Sequence, residues 1–308
     1  MPQRAPRNRT LTLSESESEE YAKSLCPVKS FSAKSGFTDK IFCGDSLCLL
    51  NSLPDACVDL VIADPPYNMT KIYAGTPFRK KDAEEYENWL RSWLVPLKRV
   101  LKPAASLYVC SEWQSSCSVE RVLRENYFVR NRVTWEREKG RASRNTWKNA
   151  SEDIWFCTVS EKFNFHLDAV KIKRRVIAPY RDAAGDPKDW KEVNGAKYRE
   201  TAPSNLWTDI SVPFWSMPEN TEHPTQKPEK LFAKLILASS APGDLVLDPF
   251  LGSGTSAVAA HKLGRRYIGI EREKKYCLFA LKRLKLSDED PAIQGYSDGC
   301  FWERNSGK

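Results

Sequence analysis

The sequence predicts an α/β fold: a doubly wound, mostly parallel sheet with helices on both faces and an irregular segment inserted late. Three observations predict it. Short apolar runs rich in β-branched residues, such as Val58-Asp59-Leu60-Val61-Ile62-Ala63 and Leu245-Val246-Leu247-Asp248, read as strands buried on both faces. Stretches of helical period alternate with them, and β-then-α alternation is the pattern of a parallel sheet. Gly252-Ser253-Gly254 follows one such strand and opens a helix, which is where doubly wound folds bind nucleotide-like ligands.

The elements follow in order. Residues 1–36 are polar, with Ser/Glu alternation at 14–20, and are expected to be a flexible arm with little to bury. Lys40-Ile41-Phe42-Cys43 is a strand ending at Gly44-Asp45, and the strand Val58–Ala63 stops at Asp64-Pro65-Pro66, because prolines cannot continue a ladder. Tyr86, Leu90, Trp93, Leu94, Leu97 and Leu101 recur at helical spacing, with a kink or break expected at Pro96. Ser106–Cys110 is the next strand, followed by a helix near 115–125 and strands near 128–135 and 153–159. From about 161 to 221 periodicity dissolves among prolines, Lys173-Arg174-Arg175 and scattered aromatics. Regularity returns with a helix from Pro228 to Ser240, the strand 245–248, a helix over 254–263, a strand over 266–270 and a last helix over 273–286. The organisation expected is an arm over 1–36, one half-domain over 37–160, the insert over 161–221, a second half over 222–287, and a polar tail over 288–308.

Composition narrows the class. Of 308 residues 41% are hydrophobic, enough for a sizeable core. No run of 18 apolar residues occurs, and MPQRAPRNRT leads into LTLSESESEE instead of an apolar stretch, so neither a membrane span nor a secretory signal is expected. Nine cysteines without a CxxC pair, beside three histidines, point to reduced thiols in a cytoplasmic protein with no metal site. The net charge is +8, and residues 130–148 hold seven basic side chains against two acidic ones, which suits a polyanionic partner.

Two motifs carry chemistry. In the first, Glu271 ends a strand 23 residues after Asp248, about the offset at which a carboxylate meets ribose hydroxyls beside a glycine turn. A ribose-containing ligand follows; the residues alone do not separate an adenosylmethionine from a dinucleotide. In the second, Asp64-Pro65-Pro66-Tyr67 closes a buried strand at the ligand edge of the sheet. The prolines remove N–H donors. What remains is an acceptor-only clamp with a flat lid: the Asp64 carboxylate, the Pro65 carbonyl and the Tyr67 ring. Such a clamp fits an amino group on a planar ring. Accepting both amine hydrogens localises the nitrogen lone pair for attack, so positioning and polarisation do the catalysis.

These pieces, with Gly44-Asp45, His223-Pro224-Thr225-Gln226-Lys227-Pro228 and Asp248-Pro249-Phe250-Leu251-Gly252-Ser253-Gly254-Thr255, resemble the β-group of bacterial amino-methyltransferases acting on DNA, most of them adenine-specific. The order, catalytic half first and methyl-donor half last, is that group's order, and the resemblance covers roughly 40–160 and 204–285. It implies a Rossmann-like methyltransferase sheet with an inserted target-recognition segment, S-adenosylmethionine as methyl donor, and double-stranded DNA as partner. A homodimer, and a cognate restriction endonuclease that shares the site without binding the chain, are both compatible with it. It also implies roles: Asp64 catalytic with Pro65, Pro66 and Tyr67 completing the pocket; Phe250, Gly252, Gly254, Thr255 and Asp248 at the donor site; Glu271 on the ribose; Asp45 at the donor's adenine or amino end; Thr225 and Lys227 on its carboxylate. His223 is read as structural, held in a turn between prolines. Arg137, Lys139, Arg141, Arg144 and Lys148 are expected to track phosphates, and Lys173, Arg174 and Arg175 to reach base edges. Leu251 and Ala105 stand where the group often has Ala and Gly.

Four other readings compete. Cytosine-N4 methylation keeps the chemistry, but its relatives usually carry Ser at the position of Asp64. Against RNA or protein-glutamine methylation stand the long basic insert and the His223–Pro228 segment, which argue for DNA. A nicotinamide oxidoreductase lacks the third glycine and leaves Asp64–Tyr67 unexplained. A non-catalytic DNA-binding protein on the same scaffold would not need an intact clamp.

Overall fold

The structure is a computed structural model, and it describes residues 5–73, 76–137, 144–177, 179–193 and 195–303. In chain order the elements are α1 (Glu15–Ser24), β1 (Cys26–Pro27), β2 (Lys40–Cys43), α2 (Ser46–Leu50), β3 (Val58–Ala63), β4 (Lys71–Tyr73), β5 (Thr76–Phe78) and α3 (Ala83–Val100). Next come β6 (Leu101–Ser111), α4 (Ser116–Asn126), β7 (Phe128–Glu136), β8 (Ser151–Thr158), β9 (Ile172–Arg175), β10 (Lys191–Val193), β11 (Ala196–Thr201) and β12 (Leu206–Trp207). The last third holds α5 (Glu229–Ser239), β13 (Leu245–Asp248), α6 (Thr255–Lys262), β14 (Arg266–Glu271), α7 (Lys274–Glu289), β15 (Tyr296–Ser297) and β16 (Cys300–Trp302).

Nine strands form the main sheet in the order β1-β2-β14-β13-β3-β6-β8-β7-β12. It is parallel except for β8, which runs against both β6 and β7. Strand alternation sorts the apolar runs into two layers. Val61 and Ala63 join α2, α3 and α4 in one core, while Leu60 and Ile62 join α5, α6 and α7 in the other. All four β3 side chains are fully buried, as a strand covered on both faces requires. The chain leaves β3 toward β6 on one side, and β13 arrives on its other side. Such a reversal opens a crevice beyond the carboxyl ends of the strands. Asp64 follows β3, Asp248 ends β13 and Glu271 ends β14, so the register of these parallel neighbours brings all three to that edge.

Three expectations are corrected. The segment expected to be a flexible arm contains α1, whose Ser14 accepts from the Glu17 amide while Glu17 accepts from the Ser14 amide. This reciprocal cap fixes the helix start. Tyr21 is buried, Lys282 of α7 pairs with Glu17, and β1 extends the sheet edge beside β2. Of the kink or break expected at Pro96 the break does not occur: α3 continues to Val100, because burial of Tyr86, Leu90, Trp93, Leu94 and Leu97 outweighs a proline penalty of about 3 kcal/mol. The insert is not irregular throughout. Strands β9, β10 and β11 form a second sheet, order β10-β11-β9-β16-β15, completed by residues of the tail. Phe301 of β16 is fully buried there against Val170, Ile172 and α5.

Candidate active site

The sheet edge opens into one cavity of about 730 Å³, lined by residues of both motifs, a size typical of ligand sites. Asp64, Pro65, Pro66 and Tyr67 form one wall, and Phe250, Gly252 and Glu271 another, with Asp45, Thr225, Lys227, Asp248 and Thr255 also lining it.

The glycine turn explains its own sequence. Gly252 has φ +55, and a Cβ there would stand 3.1 Å from the His223 ring. Gly254 has φ +93, and a Cβ there would lie 2.6 Å from that of Ala280 on α7. Left-handed backbone and close packing both call for glycine. The Gly252 amide donates to one oxygen of Glu271 at 2.8 Å, and the Glu273 amide donates to the other at 2.8 Å. Glu271 is thereby aimed into the cavity, and each oxygen keeps a lone pair for a further donor. Burial raises its carboxyl, against the pull of those amides. Phe250 stacks edge-on to Trp93 at 5.0 Å and closes the apolar side.

Asp248 and Thr255 serve the turn itself. Asp248 accepts from the Phe250 amide at 2.9 Å and from Ser256 Oγ at 2.5 Å. Thr255 Oγ1 donates to the Lys227 carbonyl at 2.9 Å and accepts from Arg283 at 3.0 Å. Asp45 is exposed and caps α2 through the Leu47 amide. His223 packs against Tyr276 at 4.4 Å, and burial pushes its imidazole down to about 3, so the ring stays neutral.

The clamp is a charge network. Tyr67 Oη lies 2.9 Å from Asp64 Oδ1 and 2.8 Å from Glu152 Oε2. Lys227 Nζ donates to Asp64 Oδ2 at 2.6 Å and pairs with Glu152 Oε2 at 3.2 Å. Arg137 pairs with the remaining Glu152 oxygen at 2.5 Å. Burial, with the charge of Glu152, raises the Asp64 carboxyl against the pull of Lys227 and Tyr67. At Glu152 burial also acts upward, but Lys227 and Arg137 together win and hold the carboxyl below its usual range. Burial would strip the Lys227 proton; the two carboxylates keep it on.

Two expected placements differ. Lys227 sits on Asp64, within the clamp, and Arg137 faces the cavity wall; nearby opposite charges hold both inward. Glu152 was missed by the sequence reading. Its one signal is an acidic residue opening a strand, and an antiparallel strand such as β8 begins where its neighbours end. Of the basic stretch, Lys139 and Arg141 lie outside the described residues, while Arg144 and Lys148 are exposed. Lys173 is held between the Trp302 and Tyr198 rings, at 4.6 and 5.2 Å from their centroids. Arg174 pairs with Glu303 at 3.6 Å, and Arg175 is exposed on the second sheet.

Residues 58–282 match the family model described as DNA methylase, of the N6_N4 type. The chain belongs to this DNA methylase family. It is 32% identical over 251 residues to DNA adenine methyltransferase YhdJ of Escherichia coli K12, covering 79% of this chain and 82% of YhdJ. Its fold is shared with the cytosine-N4-specific PvuII DNA methyltransferase, at 22% identity and a TM-score of 0.59, covering 81% and 90% of the two chains. It is shared also with TTHA0409, a putative DNA modification methylase of Thermus thermophilus complexed with S-adenosyl-L-methionine, at 21% identity and a TM-score of 0.55, covering 87% and 99%. Among the described residues no helix is long and apolar enough to cross a membrane.

Proposed function

We propose that this methylase transfers a methyl group from S-adenosylmethionine to the exocyclic N6 amine of an adenine rotated out of double-stranded DNA, within a specific sequence. One observation carries the reading: the Asp64–Tyr67 clamp and the Gly252–Glu271 turn face each other across one cavity.

The residues at the turn suit the donor. Glu271 has lone pairs left for a ribose diol, Gly252 lets backbone come close, and Phe250, edge-on to Trp93, gives an apolar wall. S-adenosylmethionine, when bound, supplies a methyl group activated by its sulfonium. The chain supplies geometry. Asp64 and the Pro65 carbonyl accept the two amine hydrogens, Tyr67 stacks against the ring, and the nitrogen lone pair is turned toward the donor side. Asp64, whose carboxyl is raised by burial, is suited to take the proton that the amine loses. His223 stays a packing group.

A base inside a duplex cannot reach this clamp, so the target nucleotide is extruded. Arg137 and Glu152 line the cavity at the two ends of the β7–β8 connection. The described part of that connection exposes Arg144, Trp147 and Lys148, side chains suited to phosphates and bases of DNA brought to the cavity. Nine unpaired cysteines suit the reducing cytoplasm.

The test is to incubate the purified protein with donor and DNA, digest to nucleosides, and identify the product. N6-methyladenine is expected from the wild type and none from Asp64→Ala, with donor affinity in the variant within threefold. N4-methylcytosine, or undiminished turnover by Asp64→Ala, refutes the reading.

A further inference from the structure

In the structure Asp64 is already engaged on both oxygens: Tyr67 lies on one and Lys227 on the other. Each oxygen keeps a second lone pair, but the Lys227 ammonium offsets the carboxylate's charge and weakens it as an acceptor for an incoming amine. An ammonium 2.6 Å from Asp64 also opposes positive charge growing on the amine nitrogen. Something must draw both groups away, and Glu152 is the only other carboxylate in contact with either among the described residues.

We propose that Glu152 is a positioning residue that takes the Lys227 ammonium and the Tyr67 hydroxyl hydrogen from Asp64, freeing Asp64 to grip the target amine. This rests on the methyltransfer reading and adds a residue to it. The geometry is specific. Glu152 Oε2 is within reach of both groups at once, at 2.8 Å from Tyr67 Oη and 3.2 Å from Lys227 Nζ. Tyr67 has one hydroxyl hydrogen and two carboxylate neighbours, so it can donate to only one of them. When it donates to Glu152, its oxygen lone pairs turn to Asp64. Asp64 Oδ1 is then open to the amine hydrogen. After transfer, a proton taken by Asp64 has the Tyr67 oxygen as its acceptor, so the chain Asp64–Tyr67–Glu152 is satisfied in both protonation states.

Two features keep Glu152 in this role. Arg137 holds its far oxygen at 2.5 Å and favours the ionised form. The Lys227 main chain is pinned by Thr255, itself braced by Arg283, so the ammonium can pivot between two oxygens but not leave the site. Two carboxylates and two cations also leave the buried cluster without net charge, which is what its burial requires.

The test compares Glu152→Gln and Glu152→Asp with the wild type, whose own methylated product verifies the underlying reading. In single-turnover assays Glu152→Gln is expected to lower the rate of methyl transfer at least 30-fold. Donor Kd and DNA KM should stay within threefold, and Glu152→Asp, which keeps the charge, should recover at least a third of the lost rate on a logarithmic scale. Transfer by folded Glu152→Gln within threefold of wild type overturns the proposal. So does an equal loss in Glu152→Asp. If Glu152→Gln does not fold, a structure of the wild type with DNA and a non-reactive donor analogue decides. Lys227 closer to Glu152 than to Asp64, with Asp64 on the target amine, supports the proposal; Lys227 still on Asp64 overturns it.

Discussion

Replacing Asp248 by Asn should make the protein more stable, and most so at neutral to alkaline pH. Asp248 is 2% exposed. Burial pushes its carboxyl from 3.8 to about 7, against the pull of Ser256 and of the Phe250 amide. For a carboxyl raised in the folded state, the neutral form suits the fold, and stability falls as pH rises from about 4 through 7. Three decades of acidity at about 1.36 kcal/mol each put the full cost of the buried charge near 4 kcal/mol above pH 7. Asparagine keeps the geometry: its oxygen can accept from the Phe250 amide, and its amide can donate to Ser256 Oγ, a hydroxyl that also accepts. The expected gain is about 2–4 kcal/mol at pH 8, falling below half of that at pH 5. Urea unfolding at the two pH values measures it, provided the m-value is unchanged. A gain independent of pH, or a loss at pH 8, refutes the reasoning that a buried charge, and not the hydrogen bonds, sets the cost.

Other perturbations follow from the same geometry. Gly254→Ala combines a left-handed backbone with a Cβ 2.6 Å from Ala280; chemical denaturation should show a loss of about 2–5 kcal/mol. Glu271→Ala removes the carboxylate aimed into the cavity and the acceptor of the Gly252 amide. Calorimetry should show donor affinity falling about 10–100-fold, from the roughly 1.5–3 kcal/mol of a charged hydrogen bond; unchanged affinity would remove Glu271 from the donor site. If Arg144 and Lys148 each neutralise one phosphate, the double alanine variant should reduce the slope of log affinity against log salt by about 1.8, and an unchanged slope would take this loop off the DNA.

The centre of the sheet was legible because β3 and β13 are written as apolar runs and the turns after β2, β3 and β13 hold Gly or Pro. Val58–Ala63 and Leu245–Asp248 are bounded in the structure as their sequences suggest. Other features needed information that local pattern does not hold. The arm reads as polar, yet Ser14 and Glu17 stand at capping-box spacing and Tyr21 supplies the anchor; the signal was present and composition masked it. The strands of the insert are short, and β9 depends on β16 for a partner more than 120 residues away. Glu152 and Lys227 meet Asp64 only through the fold, across separations of 88 and 163 residues. Chemistry distributed in this way leaves no spacing to read, whereas a clamp built on consecutive residues does.

The second sheet has a consequence for engineering. Its order adds residues 296–302 to one edge of residues 172–201, so the unit is discontinuous in the chain. Transplanting 161–221 alone into a relative would leave the Ile172–Lys173 edge bare and remove the strand that covers it. A chimera that exchanges this sheet must carry both segments.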